Sequence, residues 1–460
     1  MRLTIKIWLT LPASLLAVLT VLSCSSTVKR YDERPNILVI MSDDQGYWDA
    51  GFQGCTDIPT PHLDRLAHSG LRCTNGYATH SYCAPSRAAL MTGRYQMRYA
   101  FEYNPAYDPN DHKQGVSTHE KMLPKYLAEK GYATGWIGKW HLGAAPEFKP
   151  ENRGFQETFG FIGGGHQFIN WQPSTKEYLL PIERQGKPVE VTQHLTREFG
   201  LEASRFIQRH ENHPWFLYLA FNAPHMPNQP TPERLQKFMH IKDPTRRAYA
   251  AQVSLMDDAI GETLQALKRS GQLENTLVFF MSDNGGQTYS GADNTPLRDK
   301  KGTAFEGGVR VPFLVSWPGK LPANKEYDGI VSALDVLPTA LVAAGIHESP
   351  DKPLDGVDLI PYLSGAKEGT PHEVLYWRHL ESGQWAIRNN DWKLVARTKD
   401  WRNPGATSIP FSELSLQLFN VKTDMRERLE FTNNKKEKTI ELKKLLEEWG
   451  GEIREGTNRQ

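Results

Sequence analysis

Apolar runs alternate with amphipathic segments along most of the chain, a pattern that predicts an α/β fold with a mostly parallel sheet. Residues 371 onward differ, because short strand-like pieces there precede a charged amphipathic segment that predicts a closing helix. The C-terminal part therefore reads as a smaller α+β unit with a short antiparallel sheet. The predicted strands of the main part are 35–44, 132–140, 215–225, 276–284 and 308–319, and its predicted helices are 122–131, 195–210 and 249–267.

The N-terminus has the pattern of an export signal. Arg2 and Lys6 precede an apolar run that ends at small residues, as in secretory signal peptides. A membrane-spanning anchor is the weaker alternative, because the run is short and Pro12 interrupts it. The ending VLSC resembles the lipobox of bacterial lipoproteins, which implies a lipid on Cys24, a membrane attachment and a periplasmic location in the bacterial cell envelope.

The remaining chain divides at changes in composition. Residues 1–23 form the predicted signal, 24–34 a polar linker, 35–348 the catalytic unit, and 371–460 the C-terminal unit, with a Pro- and Gly-rich connection at 349–370. Hydrophobic content of 39% and charged content of 23% are ordinary for a globular protein. A formal net charge of +1 gives no reason to expect a nucleic-acid partner.

Oxygen-bearing side chains end two of the predicted strands. Asp43 and Asp44 follow the first strand, and Asp283 and Asn284 end the strand at 276–284. Adjacent aspartates alone often cap a turn, but two such pairs at strand ends favour a metal site, since ligands bind at this edge of open α/β sheets. Carboxylate and amide oxygens suit Ca²⁺, with Mg²⁺ as the alternative.

Basic side chains recur near the same strand ends. Each one alone is typical of a surface or structural group, but together they predict a pocket for a tetrahedral oxyanion beside the metal. Lys139 and His141 are two residues apart, so an extended segment turns both to one side. The full set is Lys139, His141, His225, Arg298, Lys300, Lys301 and Arg310.

Cysteine usage singles out one thiol. With Cys24 lipidated, Cys55 and Cys73 could form a disulfide or remain two buried thiols. Cys83 is then left over. Pro85 favours the first turn of a helix, which places Cys83 at the helix N-terminus. That position would lower the pKa of the thiol, so Cys83 could act as an ordinary nucleophilic cysteine.

A series of motifs between residues 35 and 320 closely resembles the type I sulfatases of the alkaline phosphatase superfamily. The motifs, in order, are SDDQG, TPHLDRLA, CAPSRAALMTG, GYATGWIGKWHLG, FLYLAFNAPH, SDNGG and LRDKKGTAFEGGVRVP. The resemblance implies an alkaline-phosphatase-like sandwich, a large mixed sheet between helices with a smaller C-terminal domain. It also implies that a maturation enzyme, reading Pro85 and Arg87, converts Cys83 into formylglycine (3-oxoalanine).

The resemblance implies a mechanism for sulfate ester hydrolysis. One hydroxyl of the hydrated aldehyde attacks sulfur, and the other then expels sulfate. The implied metal ligands are Asp43, Asp44, Asp283 and Asn284. The implied catalytic residues are Lys139 and Lys301 for sulfate binding, His225 as general acid, His141 as base for the elimination, and Arg87 as a brace.

The loop after GKWHLG lacks a serine that touches formylglycine in some family members, so none is assigned here. His166 and Trp171 are predicted substrate contacts instead, with a surface loop as the alternative. The expected substrate is a sulfated carbohydrate. Two other functions stay open at this point: a phosphodiesterase or phosphonate monoester hydrolase of the same superfamily, and a non-catalytic lipoprotein that binds anionic glycans.

Overall fold

The structure, a computed structural model, describes residues 34–169, 171–347, 350–380, 382–398 and 413–457. The predicted export signal, the lipid site at Cys24 and nearly all of the predicted linker lie outside these residues. No helix within the described ranges is long and apolar enough to cross a membrane.

Fourteen strands are described. They are β1 (Asn36–Ser42), β2 (Leu71–Tyr77), β3 (Ala133–Lys139), β4 (Glu157–Phe161), β5 (Ile182–Arg184), β6 (Lys187–Val189), β7 (Trp215–Ala220), β8 (Thr276–Ser282), β9 (Phe313–Ser316), β10 (Lys325–Ser332), β11 (Val374–His379), β12 (Gln384–Asn389), β13 (Trp392–Arg397) and β14 (Ser415–Asn420).

Ten α-helices accompany them in the described ranges. They are α1 (Pro61–His68), α2 (Cys83–Thr92), α3 (Leu123–Ala128), α4 (Leu195–Arg209), α5 (Pro232–Gln236), α6 (Pro244–Arg269), α7 (Glu306–Val309), α8 (Val336–Ala343), α9 (Ile360–Leu363) and α10 (Lys436–Thr457).

The large sheet has ten strands in the order β10-β2-β9-β8-β1-β7-β3-β4-β5-β6. The central strands β8, β1, β7, β3 and β4 are parallel to their neighbours in this run, whereas β9, β5 and β6 pair antiparallel. The expected mixed, mostly parallel sheet is confirmed. Because parallel strands end at the same edge, the carboxyl ends of β8, β1, β7 and β3 lie side by side.

Helices cover both faces of this sheet. Along β1, Ile37, Val39 and Met41 pack into one apolar core while Leu38 and Ile40 pack into the other. Alternate residues of a strand point to opposite faces, so the middle of a strand buried on both sides is apolar at every position, as β1 is from Ile37 to Met41. This burial explains why the central strands read as continuous hydrophobic runs.

The C-terminal sheet is antiparallel in the order β11-β12-β13-β14. One face packs against α10 through Leu442, Leu446 and Trp449. The other face packs against Phe305 and Val309 of the large unit. This second contact brings the small sheet against the segment that follows Lys301.

Two local predictions need correction. The segment 308–319 is not one strand: it begins in the short helix α7, and its strand is limited to Phe313–Ser316, which pairs antiparallel to β2 and β8. A Cβ added to Gly308 would lie 2.0 Å from the Thr303 carbonyl oxygen. The chain therefore turns back on itself here, which extended backbone cannot do. The helix predicted at 249–267 starts earlier, where Asp243 caps the N–H groups of Thr245 and Arg246.

Candidate active site

Four oxygen-bearing side chains meet at the edge of the sheet, as the sequence predicted. Asp43 and Asp44 follow β1, and Asp283 and Asn284 follow β8, whose Ser282 is in register with Ser42. The Asp44 N–H donates to Asp283 Oδ1 at 3.2 Å, and Asn284 Nδ2 donates to Asp44 Oδ1 at 2.8 Å. Adjacent parallel strands therefore bring residues 240 positions apart into contact.

Two cations lie behind these carboxylates. Arg87, on α2, donates from Nε to Asp283 Oδ2 at 2.9 Å and lies 3.6 Å from Asp43 Oδ1. Lys139, the last residue of β3, donates from Nζ to Asp43 Oδ2 at 2.7 Å. All these side chains have no solvent exposure. Buried charges are tolerated only when paired, so Arg87 and Lys139 fix the carboxylates in place.

Cys83 is the first residue of α2 and lies beside the same group. Lys301 Nζ is 3.2 Å from Cys83 Sγ and 2.8 Å from Asp44 Oδ2. Burial raises the pKa of the Cys83 thiol to about 12, although Lys139 and Lys301 oppose the rise. The lowered thiol pKa predicted from the helix N-terminus is therefore wrong, because desolvation outweighs the nearby positive charge.

Both predicted histidines reach the site. His225 Nε2 lies 3.6 Å from Asp44 Oδ2, and its Nδ1 is 2.7 Å from the Met226 carbonyl oxygen, which orients the ring. Burial lowers the pKa of His225 to about 4, with Asp44 opposing. The backbone of His141 is left-handed, with φ of 63°. Burial lowers the pKa of its ring well below the usual value, and the charge of Lys139 lowers it further.

The oxygen cluster fits a divalent cation. Asp43 Oδ1 and Asn284 Oδ1 are buried and have no hydrogen-bond donor among the described residues. Ligand atoms of Asp43, Asp44, Cys83 and His225 lie within 4.8 Å of one another. Burial raises the pKa of Asp283 to about 6, and the Asp43 charge adds to the rise. A hard cation would relieve this crowding of oxygens.

The other predicted cations lie elsewhere. Arg310 donates from Nε to the Thr74 carbonyl oxygen at 2.9 Å. Arg298 donates to the Glu427 carbonyl oxygen at 3.0 Å, and its guanidinium lies over the Phe305 ring. These two arginines join the Gly-rich segment to its neighbours and do not reach the strand-end carboxylates. Of the basic residues in that segment, Lys301 is the one brought to Cys83.

The placement of His166 does not support its predicted contact with the substrate. The ring is fully buried, with Nδ1 2.6 Å from the Gln167 carbonyl oxygen and Nε2 2.7 Å from that of Leu180. His166 therefore holds its loop together. Trp171 is partly exposed and packs edge-on against the His166 ring, with centroids 4.8 Å apart.

Two supporting residues were not predicted. Gln252, buried on α6, donates to the His225 carbonyl oxygen at 3.0 Å and so fixes the backbone of that histidine. Asn104 accepts from the Ala84 N–H at 3.1 Å, next to Cys83. In the sequence, a glutamine within an otherwise apolar helix face was a weak indication that Gln252 has a supporting role. Asn104 lies in a loop, and the sequence gave no indication of its contact.

Buried oxygen atoms that could hold a metal ion, two buried cations and Cys83 set against Lys301 fit a hydrolase of oxyanion esters. The chain belongs to the sulfatase family: the family model named Sulfatase matches residues 35–346, and the model named N-sulphoglucosamine sulphohydrolase, C-terminal, matches residues 297–449. It is therefore a sulfuric ester hydrolase.

Similar proteins agree with this assignment. The chain is 36% identical to human N-acetylgalactosamine-6-sulfatase over 352 residues, covering 72% of this chain and 66% of that protein. It is 36% identical to bovine arylsulfatase A over 408 residues, covering 82% and 77%. The crystal structure of Ps i-CgsB superposes with a TM-score of 0.83 at 39% identity, covering 90% and 92%, and that protein was also solved with k-i-k-neocarrahexaose.

Proposed function

We propose that this protein removes sulfate from a sulfated carbohydrate by hydrolysis, using residue 83 as formylglycine and a divalent metal, Ca²⁺ in preference to Mg²⁺. The observation that carries the proposal is the meeting of Cys83 Sγ, Lys301 Nζ and the Asp44 carboxylate within 4.0 Å. Support for the carbohydrate comes from Ps i-CgsB, which is 38% identical in its complex with k-i-k-neocarrahexaose.

The metal would be held by Asp43, Asp44, Asp283 and Asn284. When bound, such a cation supplies positive charge against sulfate oxygens and lowers the pKa of a hydroxyl beside it. As formylglycine, residue 83 would supply a hydrated aldehyde, whose two hydroxyls serve in turn for attack and for release of sulfate. The high thiol pKa of Cys83 speaks against an unmodified cysteine as the nucleophile.

Lys301 and Lys139 supply the charge that binds the sulfate oxygens. Lys301 lies between residue 83 and Asp44, so its ammonium is placed to stabilise negative charge growing on the transferring group. Lys139 is fully buried against Asp43 and contributes through its field. Arg87 keeps Asp283 ionised and oriented.

Two histidines handle protons. His225 presents Nε2 towards Asp44 because Nδ1 is held by the Met226 carbonyl, and we assign it as acid for the leaving alcohol. The negative charge of a sulfate ester beside Nε2 favours the protonated ring. His141, kept neutral by burial and by Lys139, is suited to accept the proton in the elimination step.

We further propose export as a periplasmic lipoprotein anchored through Cys24, on the strength of the N-terminal sequence pattern. Metabolic labelling with a radioactive fatty acid tests this. Label that Cys24→Ala removes supports the anchor, and label-free protein in the soluble periplasmic fraction refutes it.

The first experiment is a mass spectrum of the tryptic peptide CTNGYATHSYCAPSR, residues 73–87, from protein expressed with a formylglycine-generating enzyme. We expect the Cys83 sulfur to be replaced by oxygen, and sulfate release from sulfated oligosaccharides to be abolished by Cys83→Ala. Cys73→Ala is the matched control, since this second buried thiol lies on β2 outside the site. Sulfate release by protein that retains the Cys83 thiol would refute the mechanism, and faster release from matched phosphate or phosphonate esters would refute the substrate.

A further inference from the structure

Tyr178 has an unusual backbone conformation beside the active site. Its φ is 70°, in the left-handed region that a bulky aromatic residue rarely adopts. The surrounding loop enforces this conformation, because Tyr178 bridges to His166 and its carbonyl oxygen accepts from the Gln167 N–H at 3.1 Å. Strain of this kind persists where a residue is held for a purpose.

The loop is also shaped around the Tyr178 ring. Gly165 passes directly against it, so that a Cβ at this position would lie 2.5 Å from ring atom Cε1. Only glycine permits this approach. The ring centroid of Tyr178 lies 6.1 Å from that of His225, with 37° between the planes. The aromatic ring therefore stands next to the residue assigned to protonate the leaving alcohol.

The Tyr178 hydroxyl has no use within the described protein. It makes no hydrogen bond among the described residues, and the side chain is half-buried. Burial raises the pKa of the phenol, and the charge of Asp43 adds to the rise, so the hydroxyl stays protonated and able to donate. The side chain thus offers an apolar ring face and one free donor.

We propose that Tyr178 is the specificity-determining contact for the sugar ring that carries the scissile sulfate. This inference rests on the proposed carbohydrate sulfatase function. The oxygen that leaves must reach His225, so the sugar bearing it lies against the neighbours of His225. The Tyr178 ring packs on the C–H face of that sugar, and its hydroxyl donates to a sugar oxygen.

The test compares Tyr178→Ala, Tyr178→Phe and Tyr178→Asn in the matured, metal-loaded enzyme, with the best sulfated oligosaccharide as substrate. We expect Tyr178→Ala to raise KM at least about tenfold and Tyr178→Phe about three- to tenfold, since only the hydroxyl is lost. Inhibition by inorganic sulfate should keep its Ki, because the sulfate site is untouched. Tyr362→Ala, which removes another half-buried tyrosine, on α9, is the matched control.

Tyr178→Asn separates function from folding. Asparagine tolerates the left-handed region, so this variant should melt no lower than the wild type while its KM rises as in Tyr178→Ala. Unchanged KM in all three variants, or a Ki for sulfate that rises in parallel with KM, overturns the inference about Tyr178 and leaves the proposed function standing. A wild type that releases sulfate from no sulfated sugar overturns the proposed function and this inference with it.

Discussion

Lys393 lies in a buried charged cluster between the C-terminal sheet and the segment that follows Lys301. Its Nζ is 2.7 Å from Glu306 Oε1 and 3.4 Å from Glu427 Oε1, and none of the three side chains is exposed to solvent. Replacement by methionine keeps the approximate volume but leaves two buried carboxylates without their shared cation. Removing one partner of a buried ion pair typically costs about 3–5 kcal/mol of unfolding free energy.

The structure favours the lower end of that range. Glu306 retains the Tyr77 hydroxyl at 2.7 Å and Arg310 at 3.3 Å. Glu427 can escape its charge by protonation, because burial raises its pKa to about 7 and the Glu306 charge adds to the rise while Lys393 opposes it. We therefore expect Lys393→Met to lose about 3 kcal/mol.

Urea unfolding of the metal-loaded enzyme measures this loss. The double variant Lys393→Met with Glu427→Gln should recover more than half of it, since the second buried carboxylate is then neutral. Lys422→Met is the control, because Lys422 and Asp391 form an exposed pair 3.6 Å apart whose loss should cost under about 0.5 kcal/mol. A loss below about 1 kcal/mol in Lys393→Met would refute the reasoning.

Three further predictions concern other parts of the molecule. Gly164→Ala should lower kcat at least about tenfold with little change in melting temperature, because the added Cβ would lie 2.7 Å from His141 Nε2. Gly451→Ala, whose added Cβ would meet open space, is the control. Equal kcat in the two variants would contradict the assignment of His141. Burial lowers the pKa of His372, but the interaction with Asp335 outweighs this effect and leaves the pKa raised above 6.5. The stability that the His372–Asp335 pair contributes is therefore complete below pH 6.5 and is lost as the pH rises through the folded pKa. Urea unfolding should accordingly show His372→Gln costing more at pH 6 than at pH 9, and a cost that grows with pH would oppose this. Chelation of the metal should abolish sulfate release and lower the melting temperature, both restored by Ca²⁺, whereas an unchanged melting temperature would argue against a metal on the buried oxygens.

The strongly patterned parts of the fold were predictable. Strands such as β1 and β8 are buried on both faces and therefore read as apolar runs that end in carboxylates. Once two strands end alike, the geometry of parallel sheets brings their ends together. The meeting of Asp43, Asp44, Asp283 and Asn284 followed from that, and the sulfatase motifs supplied the family and its expected fold.

The remaining features depend on packing that no local pattern encodes. The thiol pKa of Cys83 could not be read from its position at a helix start, because burial of the thiol has the largest effect on it. His166 was chosen for its loop, yet the loop folds its ring inward. Tyr178 was missed because a left-handed backbone at an aromatic residue has no signature in the sequence.

The burial of Cys83 has a consequence for the order of events in the cell. Its side chain is about 1% exposed, and Ala84, Pro85 and Arg87 around it are buried as well. A modifying enzyme that must bind this stretch of chain has no access to it once the core has closed. The conversion of Cys83 proposed above would therefore have to precede folding, and the yield of active enzyme would be set by a kinetic competition between the two. Conditions that accelerate folding would then produce more protein that is correctly folded and permanently inactive.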